Sequence, residues 1–356
     1  MMMSPPEASD SRDRGGPQQP LLTVTGMRKH FPIRSGILGR VSAHVRAVDG
    51  VSFTVRKGET LGIVGESGCG KSTVARLLMR LLNPDAGEQI FDGDAVGEQG
   101  GISVAQMRRQ VQMVFQDSAS SLNPRMPVQN SVAFAPIAFG MPKAEALGMA
   151  QDLLAKVGLN PGLFGGRYPH ELSGGQKQRI NIARALALSP RMVILDEAVS
   201  ALDKSVEAQV LNLLQALKRE LNLTYVFISH DLGVVRWISD RVMVMYLGEI
   251  VEIGPADAIY IGPKHPYTRA LLASRPALDP DQRRLEAPVS GDPPNPINPP
   301  SGCRFHTRCP YAEPVCGAHA PALGDATQFG HLAACHMQDP GSGHTAAGRP
   351  LPPVTH

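Results

Sequence analysis

One segment, Gly65 to Ser72, constrains the fold of this chain more than any other. Its sequence GESGCGKS matches the pattern G-x-x-x-x-G-K-S/T and directly follows the apolar run TLGIV. The glycines let the backbone curl so that its N–H groups face a phosphate, and a helix beginning near Lys71 adds positive potential. The segment therefore predicts a strand, a phosphate-binding loop and a helix in succession, as in an α/β domain.

Composition and charge exclude several classes of protein. The 356 residues are 42% hydrophobic and 19% charged, with a formal net charge of +3. This is enough apolar material for a core, and too little positive charge to indicate a nucleic-acid partner. No apolar run reaches membrane-spanning length, and residues 1–20 lack the apolar centre of a signal peptide. If the chain serves a membrane, we expect it to dock onto another chain.

The pattern of apolar runs and prolines predicts the domain organisation. Residues 21–275 alternate short apolar runs, among them TLGIV, MVIL and TYVFIS, with segments of helix length, which indicates an α/β domain with buried parallel strands. The strand signal disappears over about 117–180, where Leu147, Ala150, Leu154 and Val157 have helical spacing and predict an inserted helical subdomain. The other regions are two disordered tails, a proline-rich linker and a small cysteine-rich module: 1–20, 339–356, 276–301 and 302–338.

Two adjacent acids, Asp196 and Glu197, follow the apolar run MVIL. Ligands of parallel sheets bind beyond the carboxyl ends of the strands, so we expect these acids beside the phosphate loop. There Asp196 and the Ser72 hydroxyl are suited to hold Mg²⁺, and Lys71 to reach the β- and γ-phosphates. Glu197 is suited to polarise the attacking water. The residues predict a nucleoside triphosphatase for ATP or GTP.

A second glycine-rich segment, Leu172 to Gln176, narrows the class. The sequence LSGGQ, followed by KQRINIARALALSP and then MVILDE, resembles the ABC ATPase family. The resemblance covers about residues 22–275 and implies a P-loop ATPase core with a mixed sheet and an inserted helical subdomain. The family's remaining elements also occur in family order: Gln116 ending QMVFQ, the pair Asp196–Glu197, Asp203 ending SALD, and His230 ending a further strand.

The resemblance implies a role for each of these residues. In this family two subunits enclose two ATP molecules head to tail, so the LSGGQ segment of one subunit meets the γ-phosphate held by the other. Gln116 senses Mg²⁺ and the attacking water, His230 holds the γ-phosphate, and Asp203 communicates across the dimer. The implied catalytic residues are Lys71, Gln116, Glu197 and His230, and the implied Mg²⁺ ligands are Ser72, Gln116 and Asp196. The implied ATP-binding residues are Gly65, Glu66, Ser67, Gly68, Cys69, Gly70, Lys71, Ser72, Thr73, Ser173, Gly174, Gly175, Gln176 and Asp203.

Two points of the resemblance are less direct. Family members stack adenine on an aromatic side chain upstream of the phosphate loop, and Phe31 is the candidate here, with His44 as an alternative. Phe31 is also compatible with an ordinary core aromatic. Ala198 stands where the family usually has proline, which removes no catalytic group.

Three local stretches resemble one branch of the family. SLNPRM after Gln116, HPYTRALLAS from His265, and INPPSGCRFHTRCPYA from Ile297 are similar to ATPase subunits of oligopeptide, dipeptide and nickel importers. The implied partners are a second, unlike ATPase subunit, two transmembrane permease subunits and an extracytoplasmic substrate-binding protein, at the cytoplasmic face of the membrane. Import of oligopeptides or dipeptides is the implied function. Import of nickel or another small solute, and a soluble ABC ATPase without transport, are the alternatives.

Four cysteines, Cys303, Cys309, Cys316 and Cys335, are spaced C-x5-C-x6-C-x18-C. A module this small has little core of its own, and four thiolates around one centre would stabilise it. Four-cysteine ligation suits both Zn²⁺ and a 4Fe–4S cluster. The absence of paired C-x2–4-C knuckles and the resemblance to peptide-importer subunits favour the cluster over zinc. Four structural cysteines without a ligand remain the third possibility.

Overall fold

In the computed structural model, the described residues are 13, 15, 16, 19–35, 40–118, 120–274, 291, 292, 294–324, 330–349 and 351. Their strands are β1 (Leu22–Ser35), β2 (Arg40–Val55), β3 (Thr60–Val64), β4 (Ala86–Phe91), β5 (Asp94–Ala95), β6 (Val111–Val114), β7 (Met192–Asp196), β8 (Thr224–Ile228), β9 (Arg241–Tyr246), β10 (Glu249–Pro255) and β11 (Leu332–Ala333). Their α-helices are α1 (Lys71–Leu78), α2 (Val104–Gln110), α3 (Val128–Ala138), α4 (Lys143–Lys156), α5 (Pro161–Phe164), α6 (Gly174–Leu186), α7 (Lys204–Leu221), α8 (Leu232–Ile238), α9 (Ala256–Ile261), α10 (Pro266–Ala273) and α11 (Pro314–Ala318).

A mixed sheet forms the centre of the molecule, in the strand order β11-β10-β9-β3-β8-β7-β6. The five strands from β9 to β6 are parallel, whereas β10 and β11 are antiparallel to their neighbours. Every residue of β3, β7 and β8 is buried, because helices cover both faces of a parallel sheet. The apolar runs TLGIV, MVIL and TYVFI therefore form the strands that the sequence predicts.

A second, antiparallel sheet has the order β2-β1-β4-β5. Its longest members, β1 and β2, pair as a ribbon from Leu22 opposite Val55 to Ser35 opposite Arg40. The buried side chains of this sheet, among them Phe53 and Phe91, share a core with α1 and the adjoining face of the central sheet. The sheet thus holds one side of the segment that connects β3 to α1.

Helices α3 to α6 lie between β6 and β7 and account for the loss of strand pattern in this part of the sequence. Ala146, Ala150, Leu154 and Val157 are fully buried along α4 and its end, where the predicted helical stripe lies. Leu147 is only partly buried, one position from the centre of the stripe. The helical insertion and the position of its core therefore follow the sequence pattern closely.

The cysteine-rich segment is packed against the ATPase core. Strand β11 extends the central sheet by pairing with β10, and the Arg46 N–H donates to the Pro296 carbonyl oxygen. Residues 276–290 and 293 of the expected linker, and most of the expected N-terminal tail, lie outside the described residues. The described part of the expected C-terminal tail, 339–349, differs from a disordered segment: His344 is buried and bonded to the Tyr311 carbonyl at 2.9 Å.

No helix in the described ranges combines the length and the apolar character needed to cross a membrane.

A buried ion pair links the two sheets. Arg241, the first residue of β9, donates from Nη1 to Glu59 Oε1 at 3.1 Å and to the Thr54 carbonyl of β2 at 3.2 Å. Each of the paired side chains is only 5% exposed, and Glu59 also accepts from the Arg56 N–H at 2.7 Å. Removing one member of such a pair leaves a buried charge without its partner, which costs more than forming the pair gains.

We expect Glu59→Ala to lower the free energy of unfolding by about 3 kcal/mol, because the buried Arg241 guanidinium loses its carboxylate. Glu59→Gln should lose less, since an amide still accepts a hydrogen bond. Urea unfolding followed by circular dichroism measures both variants. Glu220→Ala is the control: its ion pair with Lys156 is exposed, so a change within about 1 kcal/mol is expected. Equal losses in Glu59→Ala and Glu220→Ala would contradict this role of the buried pair.

Candidate nucleotide site

The loop from Gly65 to Gly70 connects the central strand β3 to α1, as the sequence predicts. Gly70 has a φ of 110°, and a Cβ atom there would lie 2.2 Å from the Ala47 carbonyl oxygen. Gly65 is similarly crowded, because its Cβ would lie 2.3 Å from the Met245 carbonyl oxygen. The loop therefore fits between β2 and β9 only if both positions lack a side chain.

Lys71 is buried inside this loop. Its ammonium group donates to the carbonyl oxygens of Gly65 at 2.7 Å and Glu66 at 3.0 Å. The Cys69 sulfur lies 3.8 Å from the same ammonium, and burial raises the pKa of the Cys69 thiol. A neutral, buried thiol agrees with a small filler residue rather than a reactive one. The curled loop thus surrounds one cation with backbone oxygens, at the N-terminus of α1.

Asp196 is the last residue of β7 and is buried beside the start of α1. The Ser72 hydroxyl donates to its Oδ1 atom at 3.0 Å. Burial raises the pKa of Asp196, since a carboxylate is poorly stabilised away from water. A divalent cation bound at this point would favour the ionised form. The pair of a hydroxyl and a buried carboxylate is a donor set that suits Mg²⁺.

Glu197 follows with an unusual backbone. Its φ is 48°, in the left-handed region that glutamate rarely adopts, and its N–H donates to the Ile228 carbonyl of β8 at 2.9 Å. This turn directs the carboxylate towards the ends of two neighbouring strands. Gln116 Nε2 donates to Glu197 Oε2 at 2.8 Å, and His230 Nδ1 lies 3.6 Å from Oε1. Strained residues concentrate at functional sites, and this one carries the expected general base.

The structure therefore brings together five of the residues that the sequence selects. Asp196 ends β7, whereas Gln116, Glu197 and His230 follow β6, β7 and β8, and Ser72 on α1 donates to Asp196. Because β6, β7 and β8 are parallel, their carboxyl ends all lie at one edge of the sheet. What the sequence does not give is the contact between Gln116 and Glu197, which are 81 positions apart.

The LSGGQ segment begins α6, with Ser173 as its N-cap. Ser173 Oγ accepts from the Gln176 N–H at 3.3 Å, and Gln176 Oε1 accepts from the Ser173 N–H at 3.0 Å. Ser173 and Gly174 are exposed, whereas a Cβ at Gly175 would lie 2.4 Å from Val206 on α7. Asp203 is the N-cap residue of α7, so the two expected dimer-contact elements are the starts of two packed helices.

The adenine candidates lie on the β1–β2 ribbon. Phe31 is opposite Val45, and His44 is opposite Pro32. Residues directly opposite share a face and successive residues alternate, so Phe31 and His44 point to opposite faces and only one of them can stack on a given base. Phe31 is half-buried under the Lys29 ammonium, and His44 is exposed. The choice between them stays a prediction.

The four cysteines line one small pocket with His306, His336 and His344. Burial raises the pKa of Cys303 to about 11 and those of Cys309 and Cys335 to about 12, so these thiols are neutral without a bound cation. Among the described residues, no group of three or more His, Cys, Asp or Glu side chains could hold a metal ion as placed. The convergence agrees with the sequence, but a preformed metal site is not supported.

Two contacts to the phosphate loop are absent from the sequence predictions. The Tyr267 hydroxyl accepts from the Glu66 N–H at 2.9 Å, and Arg308 forms two hydrogen bonds with the Glu66 carboxylate. Arg308 lies 242 positions from its partner, so no local pattern marks it. The only signal is its position in CRFHTRC, within the cysteine-rich segment.

Comparisons with known proteins identify the class to which this fold and site belong. Residues 48–200 match the family described as ABC transporter, and residues 251–316 match the family described as Oligopeptide/dipeptide transporter, C-terminal region. The CbiO1 protein of Clostridium perfringens, part of the ABC transporter complex CbiONQ, superposes with a TM-score of 0.58 at 27% identity, over 68% of this chain and 90% of that one. The chain is a member of the ABC transporter family. It is an ATPase that couples the hydrolysis of ATP to transport.

Closer relatives define the branch. The "Oligopeptide transport ATP-binding protein AppF" of Bacillus subtilis is 49% identical over 324 residues, 90% of this chain and 98% of that protein. The "Probable peptide ABC transporter ATP-binding protein y4tS" of Sinorhizobium fredii is 50% identical over 328 residues, 90% of each chain. This chain belongs with the ATP-binding proteins of the oligopeptide/dipeptide branch, as the sequence resemblance implies.

We expect Gly70→Ala to weaken ATP binding by at least about ten-fold, because the methyl group meets the Ala47 carbonyl and forces the loop to move. Titration of Mg·ATP into the purified chain measures this. Gly140→Ala is the matched control: its φ is 95°, so the backbone strain is comparable, but nothing lies within 4 Å of the new Cβ. ATP affinity should be unchanged there. Equal affinity in the two variants would contradict the steric argument.

Proposed function

We propose that this chain hydrolyses ATP to drive the import of oligopeptides or dipeptides through separate permease subunits. The main observation in support of ATP hydrolysis is the position of the Glu197 carboxylate between Gln116 and His230. Glu197 directly follows Asp196, which accepts a hydrogen bond from Ser72. The peptide substrate is supported by the C-terminal family match and by the names of relatives that cover about nine-tenths of the chain.

In this proposal the backbone of residues 65–73 binds the phosphates of ATP. Lys71 leaves the carbonyls of Gly65 and Glu66 and contacts the β- and γ-phosphates. Ser72 and Asp196, with Gln116, would hold Mg²⁺, which neutralises charge on the phosphates when bound. Glu197 accepts a proton from the attacking water. The water oxygen then bonds to the γ-phosphorus as the bridging bond to ADP breaks, and His230 holds the departing phosphate.

A second ATPase subunit, an unlike chain, completes each site. Ser173 and Gly174 are exposed at the N-terminus of α6, where backbone N–H groups favour an anion. In the closed dimer this segment would meet the γ-phosphate held by the partner, and Asp203 at the start of α7 would contact the interface. Ring stacking on Phe31, or on His44 from the other face of the ribbon, would hold adenine.

The helical insertion would pass the closing motion to two permease subunits. Phe134 and Phe139 on or next to α3 are 61% and 45% exposed, in an insertion that begins shortly after Gln116. Large exposed aromatic side chains mark interaction surfaces. The chain would then act peripherally at the cytoplasmic face of the membrane, with an extracytoplasmic protein delivering the substrate. Import of nickel or another small solute uses the same machinery and is the alternative.

Cells whose only copy of this chain carries Glu197→Gln should lose uptake of labelled di-, tri- or longer peptides, because the amide cannot accept the proton from water. The same purified variant should still bind ATP, which shows that the loss lies in hydrolysis. Loss for one class of peptide length would define the substrate. Unchanged uptake of every peptide, with nickel uptake lost, would refute peptide import and support the alternative.

For the cysteine module we propose a 4Fe–4S cluster held by Cys303, Cys309, Cys316 and Cys335. The support is that all four line one pocket within a segment that matches the oligopeptide/dipeptide C-terminal family. The spacing C-x5-C-x6-C-x18-C lacks the paired C-x2–4-C knuckles that are common in zinc sites, which favours the cluster over zinc. A bound cluster would also favour the thiolate forms and add cross-links to a small module.

After anaerobic purification, we expect about four iron and four acid-labile sulfide per chain, the composition of such a cluster. Cys316→Ser should remove most of both, because one of four ligands is lost. Cys69→Ser is the control, since Cys69 lies in the phosphate loop and not in the module. One zinc per chain without sulfide would refute the cluster. A protein that contains neither iron nor zinc would favour four unligated thiols.

A further inference from the structure

The cysteine-rich segment contacts the phosphate loop through one arginine. Arg308 Nη1 lies 2.9 Å from Glu66 Oε2, and Nη2 lies 3.0 Å from Glu66 Oε1. The arginine side chain is 7% exposed and the glutamate side chain 25% exposed. Two parallel hydrogen bonds between a guanidinium and a carboxylate form a strong and directional ion pair. Glu66 is the second residue of the loop, so this pair joins the cysteine-rich segment to the candidate ATP site.

An aromatic cluster supports both members of the contact. Arg308 donates to the Tyr246 hydroxyl at 3.3 Å, and its guanidinium carbon lies 5.9 Å from the centre of that ring. Tyr246 packs on Tyr267 with ring centres 4.6 Å apart, and the Tyr267 hydroxyl accepts from the Glu66 N–H. Phe305, close to Arg308 in sequence, completes the cluster at 5.4 Å from Tyr246. The same rings therefore position the arginine and the loop backbone.

Glu66 is consequently fixed at three groups. Arg308 binds its carboxylate, Tyr267 binds its N–H, and Lys71 donates to its carbonyl oxygen at 3.0 Å. Only Lys71 belongs to the loop motif. In the proposed cycle Lys71 moves from this carbonyl to the phosphates of ATP, and the contacts with Tyr267 and Arg308 remain to hold Glu66.

The segment that carries Arg308 is anchored independently of the loop. Arg308 ends the short 3₁₀ helix His306–Arg308, directly before Cys309. Arg304, in the same segment, bonds to Asp49 and lies 2.9 Å from Glu249. These contacts attach the segment to β2 and β10, so Arg308 is presented to Glu66 from a fixed base.

We propose that Arg308 is a positioning residue for ATP binding: it neutralises and holds Glu66, and so makes the affinity of the phosphate loop depend on the docked cysteine-rich module. The proposal rests on the proposed role of the loop in binding the phosphates. Without Arg308, the Glu66 carboxylate would lose the cation paired with it in a loop that binds a triphosphate, and like charges at short range repel. Arg308 itself does not need to touch ATP.

The test is a double-mutant cycle on the full chain, with the dissociation constant for Mg·ATP as the readout. Arg308→Ala is expected to weaken ATP binding about ten-fold, and Glu66→Gln to weaken it by a smaller factor, because the backbone of residue 66, which is proposed to bind the phosphates, is kept. In the Glu66→Gln background, Arg308→Ala should cost less than about three-fold, because no carboxylate remains to repel the phosphates. Arg308→Lys should recover part of the loss, since it restores the charge but not the two-pronged geometry.

A structural role alone gives a different pattern. Lys264→Ala is the matched control, because Lys264 is also a cation that joins the core to the module: its Nζ donates to the His331 carbonyl at 2.8 Å. Its ATP affinity should equal that of the wild type. An unchanged affinity in Arg308→Ala, or an equal ten-fold loss with and without Glu66→Gln, would overturn the proposal. If Arg308→Ala fails to fold, Arg308→Lys takes its place in the cycle. A loss of ATP affinity in Arg308→Lys that is equally large with and without Glu66→Gln would then overturn the proposal.

Lys71→Ala separates this inference from the function on which it rests. If Lys71→Ala loses ATP binding while Arg308→Ala keeps wild-type affinity, only the proposed role of Arg308 is refuted and the phosphate loop stands. Wild-type affinity in Lys71→Ala would instead refute the proposed phosphate loop, and with it both proposals.

Discussion

Parallel hydrogen bonding among β3, β8, β7 and β6 is the interaction on which the candidate site depends. It gives the four strands one direction, so their carboxyl ends lie along one edge of the sheet. The phosphate loop leaves that edge from β3, Gln116 follows β6, Asp196 ends β7 and His230 follows β8. Residues separated by more than 100 positions meet there because the ladder fixes their register, not because of attraction between their side chains.

Tight backbone packing around the loop is the second constraint. Gly65 and Gly70 are in contact with the backbone of β9 and β2, so the curl of the loop is set by its neighbours as well as by its own sequence. The strained turn at Glu197 has the same origin, since its N–H is held by β8. Backbone groups fixed by neighbouring strands cost little reorganisation when a substrate binds, which is the general advantage of a site built on a rigid sheet.

Two carboxylates at this edge, Asp196 and Glu66, differ in how their charge is compensated. Burial disfavours ionisation of Asp196, and a bound cation would reverse that effect. Glu66, by contrast, already has its counter-charge in Arg308 of the cysteine-rich module. The module is therefore part of the electrostatic environment of the loop as well as an appendage, and the central sheet reaches it through the β10–β11 pairing.

Local periodicity and contiguous motifs were sufficient to predict the strand–loop–helix unit at Gly65, the buried strands TLGIV, MVIL and TYVFI, the helical insertion and the family. It also identified Gln116, Asp196, Glu197 and His230, which the fold then brings together. Three features became visible only in the folded chain: Glu197 turns between Gln116 and His230, Phe31 and His44 face opposite sides of a ribbon, and residues 339–349 pack on the module. The Arg308–Glu66 pair belongs to the same group: it joins positions 242 residues apart, and a contact of that separation is set by the packing of whole elements, which no local pattern encodes.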